Sequence, residues 1–100
     1  MQFAVYPMPR GRLGFIVDMQ SRLLEGLATR VVIPLFPKSA APRLPMRTLN
    51  PVLSFNGGDF VLMTQNMASI PVAQLGPALG TLAAERDQII RAIDALLSGI

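Results

Sequence analysis

The hydrophobic pattern of this chain changes period near residue 77, and this change constrains its fold most strongly. Before it, short runs of bulky apolar residues alternate with prolines and glycines, which is typical of β-strands and tight turns. After it, apolar residues recur every three to four positions from Leu79 to Ile100, which predicts an amphipathic helix over about residues 77–97. Strands first and one helix last indicate the α+β class, with an antiparallel sheet.

Short apolar runs predict five strands and a candidate sixth, at residues 2–6, 13–19, 30–35, 51–55, 60–64 and 67–75. Asn56 to Asp59 predict a hairpin, because Asn and Gly tolerate positive φ. Pro34 lacks an N–H and predicts an edge, a bulge or a strand end in the third strand. Three prolines and three basic residues in 37–47 predict the one long loop, without a regular element.

The composition excludes several classes of protein. One hundred residues form one domain, which we expect to span 1–100. Apolar residues make up 51% and charged residues 15%, the opposite of a disordered chain. Cysteine and histidine are absent, which removes disulfides, zinc–thiolate sites and the commonest general base. We therefore expect no metal and no cofactor, and an enzyme with a histidine-dependent mechanism or a transition-metal centre is less expected.

The large share of apolar residues predicts apolar surface that a domain of this size cannot bury by itself. A second copy of the chain is the simplest cover for so small a domain, so we expect a homodimer; the alternative is a monomer with a functional apolar patch. A membrane span is not expected, because the charge-free stretch 60–84 contains prolines, glycines and polar residues that would leave backbone groups unsatisfied in lipid. No secretory leader is visible, so we expect a cytoplasmic protein.

Charge is distributed unevenly. Residues 1–50 contain seven basic against two acidic residues, and residues 51–100 contain two against four. A basic half favours an acidic partner or nucleic acid, although dispersed basic residues also suit an ordinary solvated surface. No glycine-rich phosphate loop is present, and Glu85 and Asp87, two apart on a helix, do not form an acid–base pair.

The chain end has two interpretations. Ser98-Gly99-Ile100 follows the amphipathic helix directly. The glycine is typical of an ordinary C-cap. The same residues also suit an apolar tip that docks into a partner, and the sequence physics alone leaves both interpretations open.

Motifs along the whole chain are matched, in order and with similar spacing, by one family. They are Met1-Gln2-Phe3 with Val5-Tyr6; Val17-Asp18 with Gln20-Ser21; Arg30 with Val32-Ile33-Pro34-Leu35; Leu49 with Pro51-Val52; Met63-Thr64; Met67-Ala68-Ser69 with Pro71-Val72; Leu75-Gly76; and Ala92-Ile93 with Gly99-Ile100. With these residues the chain resembles the CcdB family of plasmid- and chromosome-encoded toxins.

The resemblance implies an SH3-like barrel of about five or more antiparallel strands with a C-terminal helix, in a homodimer. It implies the toxin of a type II toxin–antitoxin system, neutralised by an unstable, acidic and partly disordered CcdA-like antitoxin. Such toxins bind the A subunit of DNA gyrase and trap its cleaved-DNA complex, as in plasmid maintenance, and are not themselves enzymes. They meet DNA only through the gyrase or antitoxin complex.

The resemblance also implies binding residues. Those for gyrase are Leu23, Leu24, Asp94, Leu97, Ser98, Gly99 and Ile100. For the antitoxin we expect Arg10, Arg12, Arg43 and Arg47 on physical grounds, because a disordered acidic segment that folds on binding would find these basic residues around an apolar surface. Ser98 departs from the family pattern, which has a tryptophan there, and loss of a buried aromatic anchor typically costs about 2 kcal/mol, roughly 30-fold in affinity.

Two alternatives follow from this departure and from the fold. The first is a CcdB-like homodimer that binds antitoxin but no longer poisons gyrase. The second is an endoribonuclease, because the same barrel hosts the MazF and Kid ribonucleases; the basic loop 37–47 would then line an RNA groove. Fold alone does not distinguish these relatives.

Overall fold

In the described part of the chain, a seven-stranded antiparallel sheet, curled into a half-barrel, carries one α-helix at its end. The computed structural model describes residues 1–41 and 46–99. The strands are β1 (Ala4–Pro7), β2 (Phe15–Asp18), β3 (Thr29–Pro37), β4 (Val52–Phe55), β5 (Gly58–Leu62), β6 (Ala68–Pro71) and β7 (Gly80–Thr81), and the helix is α1 (Arg86–Ser98). Their order is β4-β5-β3-β2-β1-β7, with β6 also on β3. The predicted α+β class with a C-terminal helix is confirmed.

Alternation along the strands places one apolar face against the helix. Val17, Ile33 and Leu35 are completely buried and share one face of β2 and β3, as the period of two requires. Ile89 and Ala92, three apart on α1, cover this face and are completely buried as well. The core therefore lies between the concave side of the sheet and the helix.

The hairpin predicted at Asn56 to Asp59 is confirmed. Phe55 pairs with Gly58 across a two-residue turn. Asn56 and Gly57 both have positive φ, 52° and 83°, the conformation that this type of hairpin turn needs. Strand β5 accordingly begins at Gly58, two residues earlier than the sequence predicts.

Pro34 is not at an edge, a bulge or a strand end, so that prediction is wrong. It pairs with Ile16 of β2 in the middle of β3. Its carbonyl accepts the Met63 N–H at 2.9 Å, and the N and C=O of one strand residue point to the same side. The missing N–H therefore faces the interval between the end of β5 and the start of β6, where no ladder partner is required.

The predicted helix over 77–97 is wrong at its start, because α1 begins at Arg86. Some of the preceding residues form an edge strand of the sheet instead, because Gly80 and Thr81 pair with Val5 and Ala4. The Leu79 and Leu82 amides also donate to carbonyls of the first strand region, and Leu82 is buried. A 3-10 turn at Ala83–Glu85 then leads into the helix.

Two further predicted segments differ from the structure. The candidate strand at 67–75 is limited to β6, which is followed by a 3-10 turn at Val72–Gln74. The predicted loop at 37–47 begins later, because Pro37 still belongs to β3 and Lys38–Ala40 form a 3-10 turn. Residues 42–45 of that loop lie outside the described residues. In the described part of the chain, no helix is long and apolar enough to cross a membrane.

We expect Gly14→Ala to destabilise the fold strongly. Gly14 has a φ of +98°, and a Cβ there would overlap the backbone carbonyl oxygen of Leu35. Positive φ alone costs an L-residue about 1–2 kcal/mol, and relieving the overlap adds about 1–3 kcal/mol. Gly11→Ala is the matched control, with a φ of +66° but open space around the new atom. Urea unfolding measures both, and equal losses would contradict the prediction.

Candidate functional site

The end of α1 presents apolar side chains on a firmly capped helix. Leu97 is 75% exposed, and Asp94 is exposed one turn earlier. Gly99 adopts φ 73° and donates its N–H to the Ala95 carbonyl at 3.1 Å, which is the ordinary αL cap. The Ser98 hydroxyl donates to the Asp94 carbonyl at 2.6 Å. Ser98 and Gly99 therefore close the helix, and Leu97, with Leu96 at 37% exposure beside it, is available to a partner; Ile100 lies outside the described residues.

Leu23 and Leu24 lie on a separate 3-10 turn at Arg22–Leu24. The Ser21 hydroxyl accepts the Leu23 N–H at 3.2 Å, and this cap starts the turn. Leu23 is 94% exposed and Leu24 is 49% exposed. Besides the core face that Ile89 and Ala92 cover, the helix lies close to the 3-10 turn at Thr64–Asn66 and to the adjoining turn at Ala83–Glu85. Within one described chain, the turn at Arg22–Leu24 is thus not among the principal neighbours of the helix.

A buried carboxylate stands next to this turn. Asp18 is completely buried and its Oδ1 accepts the Gln20 N–H at 2.9 Å. Its Oδ2 lies 3.1 Å from the Met1 amine and 3.6 Å from the Arg30 Nε. A buried charge is tolerated only when it is paired and hydrogen-bonded in this way. Sequence reasoning missed Asp18 and Arg30 as partners, although both fall within the resemblance motifs.

This cluster affects the single tyrosine of the chain. Burial, and next the negative charge of Asp18, raise the pKa of Tyr6 above its ordinary value of 10.0; Arg30 acts in the opposite direction. The neutral phenol is therefore the form that the folded chain favours.

A groove with two arginines lies on the outer side of the sheet. The loop between β1 and β2 supplies Arg10 and Arg12, and the groove encloses about 240 Å³. Its apolar floor comes from β2, β3 and β6 and includes Ile16, Pro34 and Ile70. Neither arginine forms an ion pair with any residue that the structure describes. Cationic groups at the rim of an apolar groove suit a segment that is both acidic and apolar.

The other two arginines of the predicted antitoxin site are placed differently. Arg47 lines a separate hollow of about 220 Å³ beside α1, together with Gln88 and Arg91. Arg43 lies outside the described residues. The structure thus brings Arg10 and Arg12 together and places Arg47 on another surface. Among residues 1–41 and 46–99, no three acidic side chains gather as they would around a metal ion.

Comparison with known proteins identifies the family. A family model described as "CcdB protein" matches residues 2–99. The chain belongs to the CcdB family. Its members are toxins of toxin–antitoxin systems, which confirms the resemblance drawn from the sequence motifs. The match includes Leu23 and Leu24 and the helix end through Gly99.

A solved structure has the same fold. The Mycobacterium tuberculosis toxin MazF-mt6 aligns with a TM-score of 0.71 over 91% of this chain and 92% of its own length. Sequence identity in this alignment is 18%, so the likeness concerns the fold. The half-barrel with a C-terminal helix is therefore an architecture that this CcdB-family chain shares with a MazF toxin.

We expect the titration of Tyr6 to have its midpoint above pH 10.0, the ordinary value. With one tyrosine and no tryptophan, the ultraviolet absorbance of tyrosinate reports this group alone. Asp18→Asn removes a negative charge and lowers the midpoint, whereas the exposed Asp59→Asn leaves it unchanged. Because the folded pKa exceeds the unfolded one, the free energy of unfolding falls as pH rises through this range. A midpoint at or below 10 would contradict the assignment.

Proposed function

We propose that this chain, as a single CcdB-like domain of residues 1–100 in a cytoplasmic homodimer, binds the A subunit of DNA gyrase and traps the gyrase–DNA cleavage complex. A CcdA-like antitoxin neutralises it. The toxin is an inhibitor of a topoisomerase and not an enzyme, and it meets DNA only through these complexes. The observation that carries the proposal is the family match over residues 2–99, which includes an exposed apolar helix end.

The chemistry of the helix end supports this role. Leu97 is exposed to solvent on a helix whose last turn is closed by hydrogen bonds from the Gly99 N–H and the Ser98 hydroxyl. Burying one leucine side chain in a partner contributes about 1.5–3 kcal/mol. Leu23 and Leu24 supply a second apolar contact. A homodimer would double both surfaces, which suits a target that is itself two-fold symmetric.

A second candidate function is favoured by one contact. The Ser98 hydroxyl is used within the helix, on the Asp94 carbonyl, and it offers no ring for stacking at the position where the family has tryptophan. A CcdB-like homodimer that binds antitoxin without poisoning gyrase fits this observation. The two candidates share the fold and the antitoxin groove, and differ in the effect on gyrase.

We expect Leu97→Ala to weaken binding to the gyrase A subunit tenfold or more, because the apolar contact is lost. Leu79→Ala is the matched control, since Leu79 is also an exposed leucine, at 50%, but lies outside the helix. Calorimetry with the purified A subunit measures both, and thermal unfolding checks that each variant is folded. Equal binding by the two variants would remove the helix end from the interface.

The decisive assay incubates gyrase with supercoiled plasmid and either wild type or Ser98→Trp. Linear DNA with wild type supports gyrase poisoning with Leu97 as anchor. Linear DNA only with Ser98→Trp supports the antitoxin-binding candidate. If neither variant binds or traps gyrase, the gyrase proposal fails, and cleavage of RNA by the protein alone is the next test.

We expect an acidic antitoxin peptide to associate more slowly at high salt, because Arg10 and Arg12 attract it at long range. The double variant Arg10→Gln, Arg12→Gln lowers the association rate and flattens its salt dependence. Arg86→Gln is the control, because Arg86 lies on α1 beside Asp87 and away from the groove. Stopped-flow kinetics measure these rates; a salt-independent rate in wild type would contradict the groove assignment.

A further inference from the structure

Three leucines of one surface turn are exposed to solvent. Besides Leu23 and Leu24, Leu27 is 51% exposed, so the turn of residues 21–27 carries three of them within five positions. Large apolar groups concentrated on a surface usually mark a binding site. The backbone of this turn has hydrogen bonds of its own, from the Leu24 N–H to the Ser21 carbonyl at 2.9 Å, from the Glu25 N–H to the Arg22 carbonyl at 3.3 Å and from the Leu27 N–H to the Leu24 carbonyl at 3.1 Å. Hydrogen-bond geometry in short 3-10 pieces such as Arg22–Leu24 is poor, so bonds from outside the turn add to its hold.

Side chains from the sheet hold this turn by its carbonyl groups. Arg30 Nη2 donates to the Glu25 carbonyl at 2.8 Å, and Arg30 Nη1 donates to the Leu27 carbonyl at 2.9 Å. Gln20 Nε2 donates to the Leu24 carbonyl at 2.8 Å. Each acceptor is a backbone atom, so these bonds fix the path of the chain and leave the leucine side chains free. Guanidinium suits this task, because its planar fork donates in several fixed directions.

Arg30 is itself held in one orientation. Its backbone lies in β3, paired with Ile70 of β6, and its side chain is 11% exposed. Its Nε faces the buried Asp18 carboxylate at 3.6 Å. Gln20 is tied to the same centre, since its N–H donates to Asp18 Oδ1 and its Oε1 accepts the Val31 N–H at 3.2 Å. The rigid sheet thus fixes the groups that hold the turn.

We propose that Arg30, anchored on Asp18, is a positioning residue that holds the leucine turn 21–27 ready for the partner. A turn already in its bound path avoids the entropic cost of ordering on association. The partner follows from the proposed function, in which Leu23 and Leu24 contact the gyrase A subunit. Arg30 itself need not touch that partner.

The first test needs no partner. Arg30→Lys keeps a positive charge beside Asp18 but loses the guanidinium that donates to two carbonyls at once. Arg22→Lys, a change of the same kind inside the turn, is the matched control. We expect amide hydrogen exchange over residues 22–28 to become about tenfold faster in Arg30→Lys, with β2 and β3 unchanged. Unchanged exchange in the turn, or faster exchange throughout the sheet, would overturn the proposal, because Arg30 would then have no local role or a merely global one.

The second test is a double-mutant cycle on the dissociation constant for the gyrase A subunit. We expect Leu23→Ala to weaken binding about tenfold in the wild-type background and only two- to threefold in the Arg30→Lys background, because a loosened turn no longer presents that leucine. Equal losses in both backgrounds would overturn the positioning role. If wild type does not bind the A subunit, the proposed function fails, and hydrogen exchange alone decides whether Arg30 positions the turn.

Discussion

The structure depends on the pairing of β3 with strands on both of its sides. One edge of β3 pairs with β2, and the other pairs with β6 along its first half and with β5 along its last residues. Strand β3 thus orients β2, β5 and β6. Because Ile33 and Leu35 lie on the same face of β3, their burial decides which face of the sheet is turned toward the core. Pro34 is compatible with this role only because its missing donor faces the interval between two partners.

The proposed binding surfaces are extensions of this framework. The leucine turn enters β3, and its carbonyls are bonded by Arg30 from within that strand. The groove lined by Arg10 and Arg12 lies on the face of the sheet opposite the core, where Pro34 forms part of its floor. The burial of Ile89 and Ala92 fixes the helix whose end carries the exposed Leu97. Rigid elements therefore support each surface that is proposed to meet a partner.

Much of the fold could be predicted from local patterns, and the failures have a common cause. The hairpin at Asn56 and Gly57 and the apolar face of α1 follow from φ preferences and from helical period, which are properties of neighbouring residues. The start of α1 could not be predicted, because residues 79–82 bond to the first strand and the helical period cannot reveal that competition. The prediction for Pro34 is wrong for a similar reason, since the partner across the sheet decides whether an N–H is needed.

The sequence by itself determined the α+β class, the family and the residue types of the candidate surfaces, because these depend on local periodicity and on motifs spread along the chain. Only the tertiary structure decided which of those residues share a surface: it brought Arg10 and Arg12 to one groove and placed Arg47 beside the helix. It also paired Asp18 with Arg30, twelve positions apart. The physical reason is that burial and charge pairing depend on strand register, which arises only when distant segments meet.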